Sequence, residues 1–195
     1  MLASITPLGE RARGHRWICT TTMFIGAAMI GGAVIGAALG TLGLLALGDL
    51  GIRWRLGLVA MVLAAGLVWE LTAPRLPGPR RQVNERWLDD YRRWVYASGF
   101  GTQLGAGITT IVVSSAVYAV WAAALASASP SAGALIGAVA GSLRGATVLA
   151  AARTASPQQL IDFHSRMRLV YRPARGLLLA GQLALVGAAV AIVVS

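Results

Sequence analysis

Residues 17–47 read WICTTTMFIGAAMIGGAVIGAALGTLGLLAL. No charged side chain interrupts this run. It exceeds the roughly 20 apolar residues that a helix needs to cross a bilayer. Arg11, Arg13 and Arg16 stand just before it. The run is too long for the apolar part of a secretory leader, and further apolar runs follow it. It therefore reads as an uncleaved first membrane helix.

Working outward, the same pattern repeats. A second apolar run, 56–72, is stopped by Pro74, Pro77 and Pro79. Between Trp94 and Leu143 no residue is charged, which leaves room for a helix at 97–126, a turn, and the start of another at 132–152. A last run, 176–195, is just long enough to span. Two polar stretches carry an amphipathic pattern. Val83, Trp87, Tyr91 and Trp94 recur at helical spacing within 81–96, as do Leu160, Phe163, Met167 and Val170 within 157–172. Both read as helices lying at the membrane interface. Ser156 and Pro157 supply a cap and first position for the second, and Pro173 is expected to end it.

The basic residues give the orientation. Of seventeen, all arginine, fourteen fall in three stretches: Arg11, Arg13 and Arg16; Arg75, Arg80, Arg81, Arg86, Arg92 and Arg93; Arg153, Arg166, Arg168, Arg172 and Arg175. All three stretches lie on one side of a five-span topology. The positive-inside rule places that side, with the N-terminus, in the cytoplasm and the C-terminus outside. Arg53 and Arg55 form the minority outside charge, and Arg144 falls within an apolar run.

Composition agrees. The chain is 56% hydrophobic and 12% charged, against about 25% charged for a soluble domain. A net charge of +10 invites a nucleic-acid reading, but the arginines flank apolar spans instead of forming a stripe on a folded domain. The absence of lysine, with abundant alanine and glycine, fits a GC-rich bacterial genome and an inner-membrane location. Cys19 is the only cysteine and His15 and His164 the only histidines. An intramolecular disulfide and a thiolate metal site are thereby excluded. No catalytic constellation or nucleotide fingerprint is present, so neither an enzyme nor a cofactor is expected.

The chain thus reads as all-α: a single domain, 1–195, forming a polytopic membrane bundle of about five transmembrane helices and two cytoplasmic interfacial helices. Within it, Gly133, Gly137, Gly141 and Gly145 recur every four residues, as do Gly32, Gly36 and Gly40. Such spacing makes a smooth groove that lets a neighbouring backbone approach. The groove serves packing within the monomer, a homo-oligomer seam, or a membrane-protein partner.

Arg144 should lie roughly 12 Å deep by the helix rise, at a cost of about 2.5–3.5 kcal/mol before compensation. Glu70 is the one acidic residue within an expected span. Gln103 and Gln182 lie at similar depth, and Thr20, Thr21 and Thr22 with Ser114 and Ser115 add hydroxyls. Arg144 either snorkels, or pairs with Glu70 as a structural bridge, or serves an anion site or a gate. A cluster of Arg144, Gln103, Gln182 and Glu70 would suit a small polar or anionic solute, and equally a structural network. An internal echo, Val95-Tyr96 with Gln103-Leu104 against Val170-Tyr171 with Gln182-Leu183, resembles the repeats of transporter folds.

The run Gly99-Phe100-Gly101-Thr102-Gln103-Leu104-Gly105-Ala106-Gly107, after Arg92-Arg93-Trp94, resembles the glycine-rich helix openings of CcdA/DsbD-type membrane proteins, and through them small LysE- and TauE-like exporters. The resemblance implies a small polytopic membrane protein. CcdA-type proteins carry reducing equivalents on paired membrane cysteines, and nothing here matches a second position beside Cys19. The leading expectation is a transporter-like protein with a polar, cytoplasm-facing site. The alternatives are a non-catalytic subunit or scaffold, and a degenerate thiol relay.

Arginine parity makes a direct prediction. Alkaline-phosphatase fusions after Ser195 should be active and fusions after Arg80 or Arg166 inactive; an active Arg80 fusion reverses the orientation.

Overall fold

The computed structural model describes residues 5–72, 91–107 and 114–194, and all regular structure among them is helical. In chain order the helices are α1 (Pro7–Ala12), α2 (Trp17–Leu47), α3 (Ile52–Thr72), α4 (Arg93–Ala106), α5 (Ala116–Ala126), α6 (Pro130–Ala146) and α7 (Pro157–Val194); a 3-10 turn, Thr147–Ala151, prolongs α6. Among the described residues, four helical stretches are long and apolar enough to cross a membrane: Trp17–Leu47, Ile52–Thr72, Pro130–Ala151 and Pro157–Val193.

The centre of the fold is α2. Its glycines meet those of α6 in antiparallel register. A methyl group on Gly32 would strike the Gly137 carbonyl, on Gly36 the Gly133 carbonyl, and on Gly40 the Ser129 carbonyl; the reciprocal contacts hold from α6. Each step of four along one helix is a step of four back along the other. A second seam joins α2 to α4, where Gly101 abuts the Phe24 carbonyl and Gly31 the Thr102 carbonyl. The seams meet at Ala28, whose carbonyl lies under both Gly105 and Gly141 and which is fully buried. Packing in apolar surroundings depends on such close backbone approach, because no hydrophobic gain separates helix from lipid. The glycine groove is therefore an intramolecular seam.

The N-terminal stretch is folded onto one end of the bundle. Thr6 caps α1 by accepting from the Gly9 N–H, with Pro7 at the first position. Fully buried Glu10 accepts from the hydroxyls of Thr20 and Tyr96 and from Arg13 at 2.8 Å. Burial works against the Arg13 charge, but the hydrogen bond and charge of Glu10 outweigh it and raise the guanidinium pKa above its ordinary value. Ile5, Phe24, Tyr96, Phe100 and Val148 build an apolar core around this network. The Leu8 N–H donates to the Thr154 carbonyl, so the stretches before α2 and before α7 share one end of the molecule.

The outer layer is α3, which packs on α5 and α7. Helix α3 begins at Ile52, ahead of the expected 56, and takes Arg53 and Arg55 into its first turn. The Ser156 hydroxyl accepts from the Gln159 N–H, as the Ser-Pro start requires.

Two expectations change, and a third lies partly outside the described residues. The single helix expected at 97–126 is two: α4 stops where Gly107 adopts φ +72° and donates its N–H to the Gln103 carbonyl, a left-handed cap that glycine favours. The interfacial helix 157–172 and the span 176–195 are one helix, α7, with Pro173 inside it. Proline removes one backbone bond at about 3 kcal/mol, yet the helix continues through Pro173. Of the interfacial helix expected at 81–96, residues 81–90, including Val83 and Trp87, lie outside the described residues, while Trp94 already belongs to α4.

The seams predict a sharp contrast. Gly137→Ala should destabilise by about 1–3 kcal/mol, the cost of overpacking a tight core. Gly57→Ala, whose added methyl meets nothing within 4 Å, should stay within about 0.5 kcal/mol. Thermal unfolding of the purified variants in one detergent checks this; equal stabilities refute the seam.

Candidate functional site

Two short helices occupy the place of one span. Helix α4 starts beside Thr20, through Tyr96 and Glu10, and reaches Ala28 at Gly105. Helix α5 ends with Leu125 against Gly43, near the far end of α2. Together they carry the chain along α2, and the first of them ends at Gly107. Each helix therefore presents an end inside the bundle. A helix C-terminus carries partial negative charge and an N-terminus partial positive charge.

Both ends meet a side chain of suitable chemistry. At the C-terminal end of α4, a methyl built on Gly107 would lie 2.6 Å from Nη1 of Arg144. Arg144 comes from the last turn of α6 and is partly buried. The guanidinium thus sits where the α4 dipole favours a cation. At the N-terminal end of α5, the Glu70 carboxylate from α3 accepts from the Ser115 N–H at 2.9 Å, the Ser115 hydroxyl at 2.7 Å and the Ser114 hydroxyl at 3.3 Å. Glu70 is 8% exposed. Its main-chain carbonyl accepts from Arg175 of α7 at 3.0 Å. Gln182, also from α7 and buried, lies 3.1 Å from the Ser115 hydroxyl by its Oε1 and 3.4 Å from the Ser114 hydroxyl by its Nε2.

Between the two poles lies a cavity of about 530 Å³ bounded by α2, α4, α5 and α6, with Leu178 of α7 at its edge. Ile35, Leu39, Val117, Val120 and Trp121 make most of its wall apolar, while Arg144, Ser114 and Thr147 bring polar side chains to it. Its size and its few polar groups match small-molecule sites.

The residues singled out in the sequence fall into two groups. Glu70 and Gln182 are brought together through Ser115. Arg144 and Gln103 both lie at the α4 terminus, Arg144 beside Gly107 and Gln103 accepting the Gly107 N–H on its main-chain carbonyl. Glu70 turns its carboxylate to the two serines and not to Arg144. The glycines of α2 and α6 build the wall, since Gly32, Gly36 and Gly137 line the cavity. Sequence reasoning missed the Glu10–Tyr96–Thr20 network. Its signal was Thr6-Pro7, the same cap-and-proline start that was recognised at Ser156-Pro157. Cys19 lies apart from the cavity and is partly buried. Among the described residues no three His, Cys, Asp or Glu side chains converge as metal ligands would.

Comparison with protein-family models, with curated proteins and with solved structures finds no match to this chain.

Proposed function

We propose that this chain is a small transporter-like protein of a bacterial inner membrane that binds a small organic anion in the cavity beside Arg144. In this reading α4 and α5 together make one of five crossings, the arginine-rich ends face the cytoplasm and the C-terminus lies outside. The observation that carries it is the juxtaposition of a helix broken at Gly107, a cation at the break and a cavity beside both. Interrupted helices at the level of a binding site recur in secondary transporters, because unwound backbone is tolerated within a membrane only where protein or a cavity satisfies it. Arg144 would hold an anionic head by charge-assisted hydrogen bonds. The apolar wall would take an apolar body, so an organic monocarboxylate fits better than a fully polar ion. The resemblance to CcdA-type and exporter-like proteins supports the same architectural class. It lends nothing to a thiol relay, for which Cys19 has no second sulfur.

A second reading, a membrane subunit or scaffold, is favoured by α7. Leu177, Leu183, Leu185 and Ile192 are all exposed on it. That surface would serve a partner helix or a second copy as well as lipid.

The test is binding of a panel of aliphatic and aromatic monocarboxylates to the purified protein in nanodiscs. Wild type should bind at least one. Arg144→Met should lose about 1.5–3 kcal/mol of affinity, the worth of hydrogen bonds to a charged group, or roughly tenfold to a hundredfold. Arg144→Lys should recover only part of it, because the planar fork is lost. A folded Arg144→Met protein with unchanged affinity removes Arg144 from the site.

A further inference from the structure

Among the described residues, the cavity beside Arg144 is filled in toward both ends of the bundle and reaches the surface at its side. Toward α1, Phe24, Tyr96, Phe100 and Val148 are each 3% exposed or less and pack into one apolar core. Toward the far end, Ala124 is buried, the Leu125 carbonyl abuts Gly43 and the Ser129 carbonyl abuts Gly40. Two leucines of the wall are exposed: Leu143 of α6 at 68% and, at the cavity edge, Leu178 of α7 at 37%. Thr147, one turn beyond Leu143, lines the cavity and is exposed too. Side chains that both line a cavity and reach the surface mark its mouth. Here the mouth lies between α6 and α7.

The depth of the mouth decides what meets it. Leu143 stands about 12 Å from Ala151 and about 20 Å from Pro130 by the helix rise, within a stretch long and apolar enough to span. Leu178 lies within another such stretch, Pro157–Val193. In a hydrocarbon core of about 30 Å, both leucines stand at the level of acyl chains and not of water.

Inside, polarity is graded. A methyl on Gly107 would lie 2.6 Å from Nη1 of Arg144, 3.4 Å from the Trp121 ring and 3.5 Å from Val117. Guanidinium and apolar wall therefore begin together at the broken end of α4. From there the wall follows α2 from Gly32 to Leu39, about 10 Å by the helix rise, with Ile35, Val120 and Ala124 along it. A cation at one end of an apolar slot complements a molecule with one anionic head and one apolar tail, and a carboxylate matches the guanidinium fork. A volume of about 530 Å³ is that of a drug-sized ligand, which suits one acyl chain and not two.

We infer that the cavity takes a single-chain amphiphilic carboxylate, a fatty acid in chemical class, which enters sideways from the bilayer between α6 and α7. Its head lies at Arg144 and its tail along α2 and α5. This rests on the anion reading above and narrows it to a ligand dissolved in the membrane.

Photo-crosslinking tests this on the full chain in phosphatidylcholine nanodiscs, with a long-chain fatty acid that carries a diazirine at mid-chain as the probe. Labelled residues are mapped by mass spectrometry. Labelling should reach Val120, Trp121 or Ala124 of α5 and Ile35 or Leu39 of α2, and an excess of the unmodified acid should remove it. Labelling of exposed Leu45 should persist under the same excess, as contact with bulk lipid does. Arg144→Met should reduce the competed labelling about tenfold, the worth of a hydrogen bond to a charged group. As a second variant, Ala140→Trp narrows the mouth from a half-buried position and should slow cavity labelling about tenfold with Arg144 intact. Labelling that no excess removes, on the wild-type protein alone, overturns the proposal, as does competition by added phosphatidylglycerol but not by the fatty acid. Cavity labelling unchanged in a folded Arg144→Met protein overturns the placement of the head, and an unchanged rate in Ala140→Trp overturns the sideways entry. Arg144-dependent binding of benzoate without competed cavity labelling overturns this inference and leaves the anion reading standing; loss of both overturns both.

Discussion

Everything else in this molecule depends on the approach of two helices to the carbonyl of Ala28. Gly105 of α4 and Gly141 of α6 both press on that oxygen, and any side chain at either position would occupy the same space. For helices of this apolar length in a bilayer, the driving force is contact and not escape from water. In a bilayer, lipid tails solvate an apolar helix as well as leucine does, so association relies on dispersion and on backbones close enough for many contacts. Glycine supplies that closeness. The register along α2 and α6 then follows, because a one-residue slip would replace each glycine by Ile136, Ala138 or a similar neighbour.

That constraint explains why α4 is short. To bring Gly101 and Gly105 onto α2, the helix uses residues that contribute little to its own stability, since glycine costs about 1 kcal/mol against alanine in a helix interior. Gly107 then takes the left-handed conformation, and α4 ends within the bundle. The exposed backbone end has to be matched electrostatically, and Arg144 reaches it from α6. Helix α5 restarts behind Ser115, whose N–H donates to Glu70. The two charged side chains therefore address two opposite helix dipoles. A direct ion pair between them would have left both helix ends without that match.

The ends of the molecule differ in kind. At the α1 end, a buried carboxylate is held by hydroxyls and an arginine inside an apolar core, an arrangement that fixes the N-terminal stretch in place. On the α3 and α7 side, the Glu70 carboxylate accepts from the Ser114 and Ser115 hydroxyls and the Ser115 N–H, and so joins α3 to the start of α5.

The sequence by itself determined the helical class, the run 17–47 and the glycine grooves. Apolar length and four-residue spacing are local properties, and α2 and the α2–α6 seam follow from them directly. The Ser156-Pro157 start was legible for the same reason. Tertiary structure decided the rest. Whether Gly107 ends a helix depends on Arg144 waiting at that end, and Arg144 lies on another helix. Whether Pro173 ends one depends on what would satisfy the backbone beyond it. Glu70 and Arg144 are both charges in apolar runs, which made a mutual pair the natural expectation. Only packing could show that two serines, themselves in contact with Gln182, reach Glu70 first, because hydrogen bonds between helices depend on positions in space that no spacing within one helix encodes.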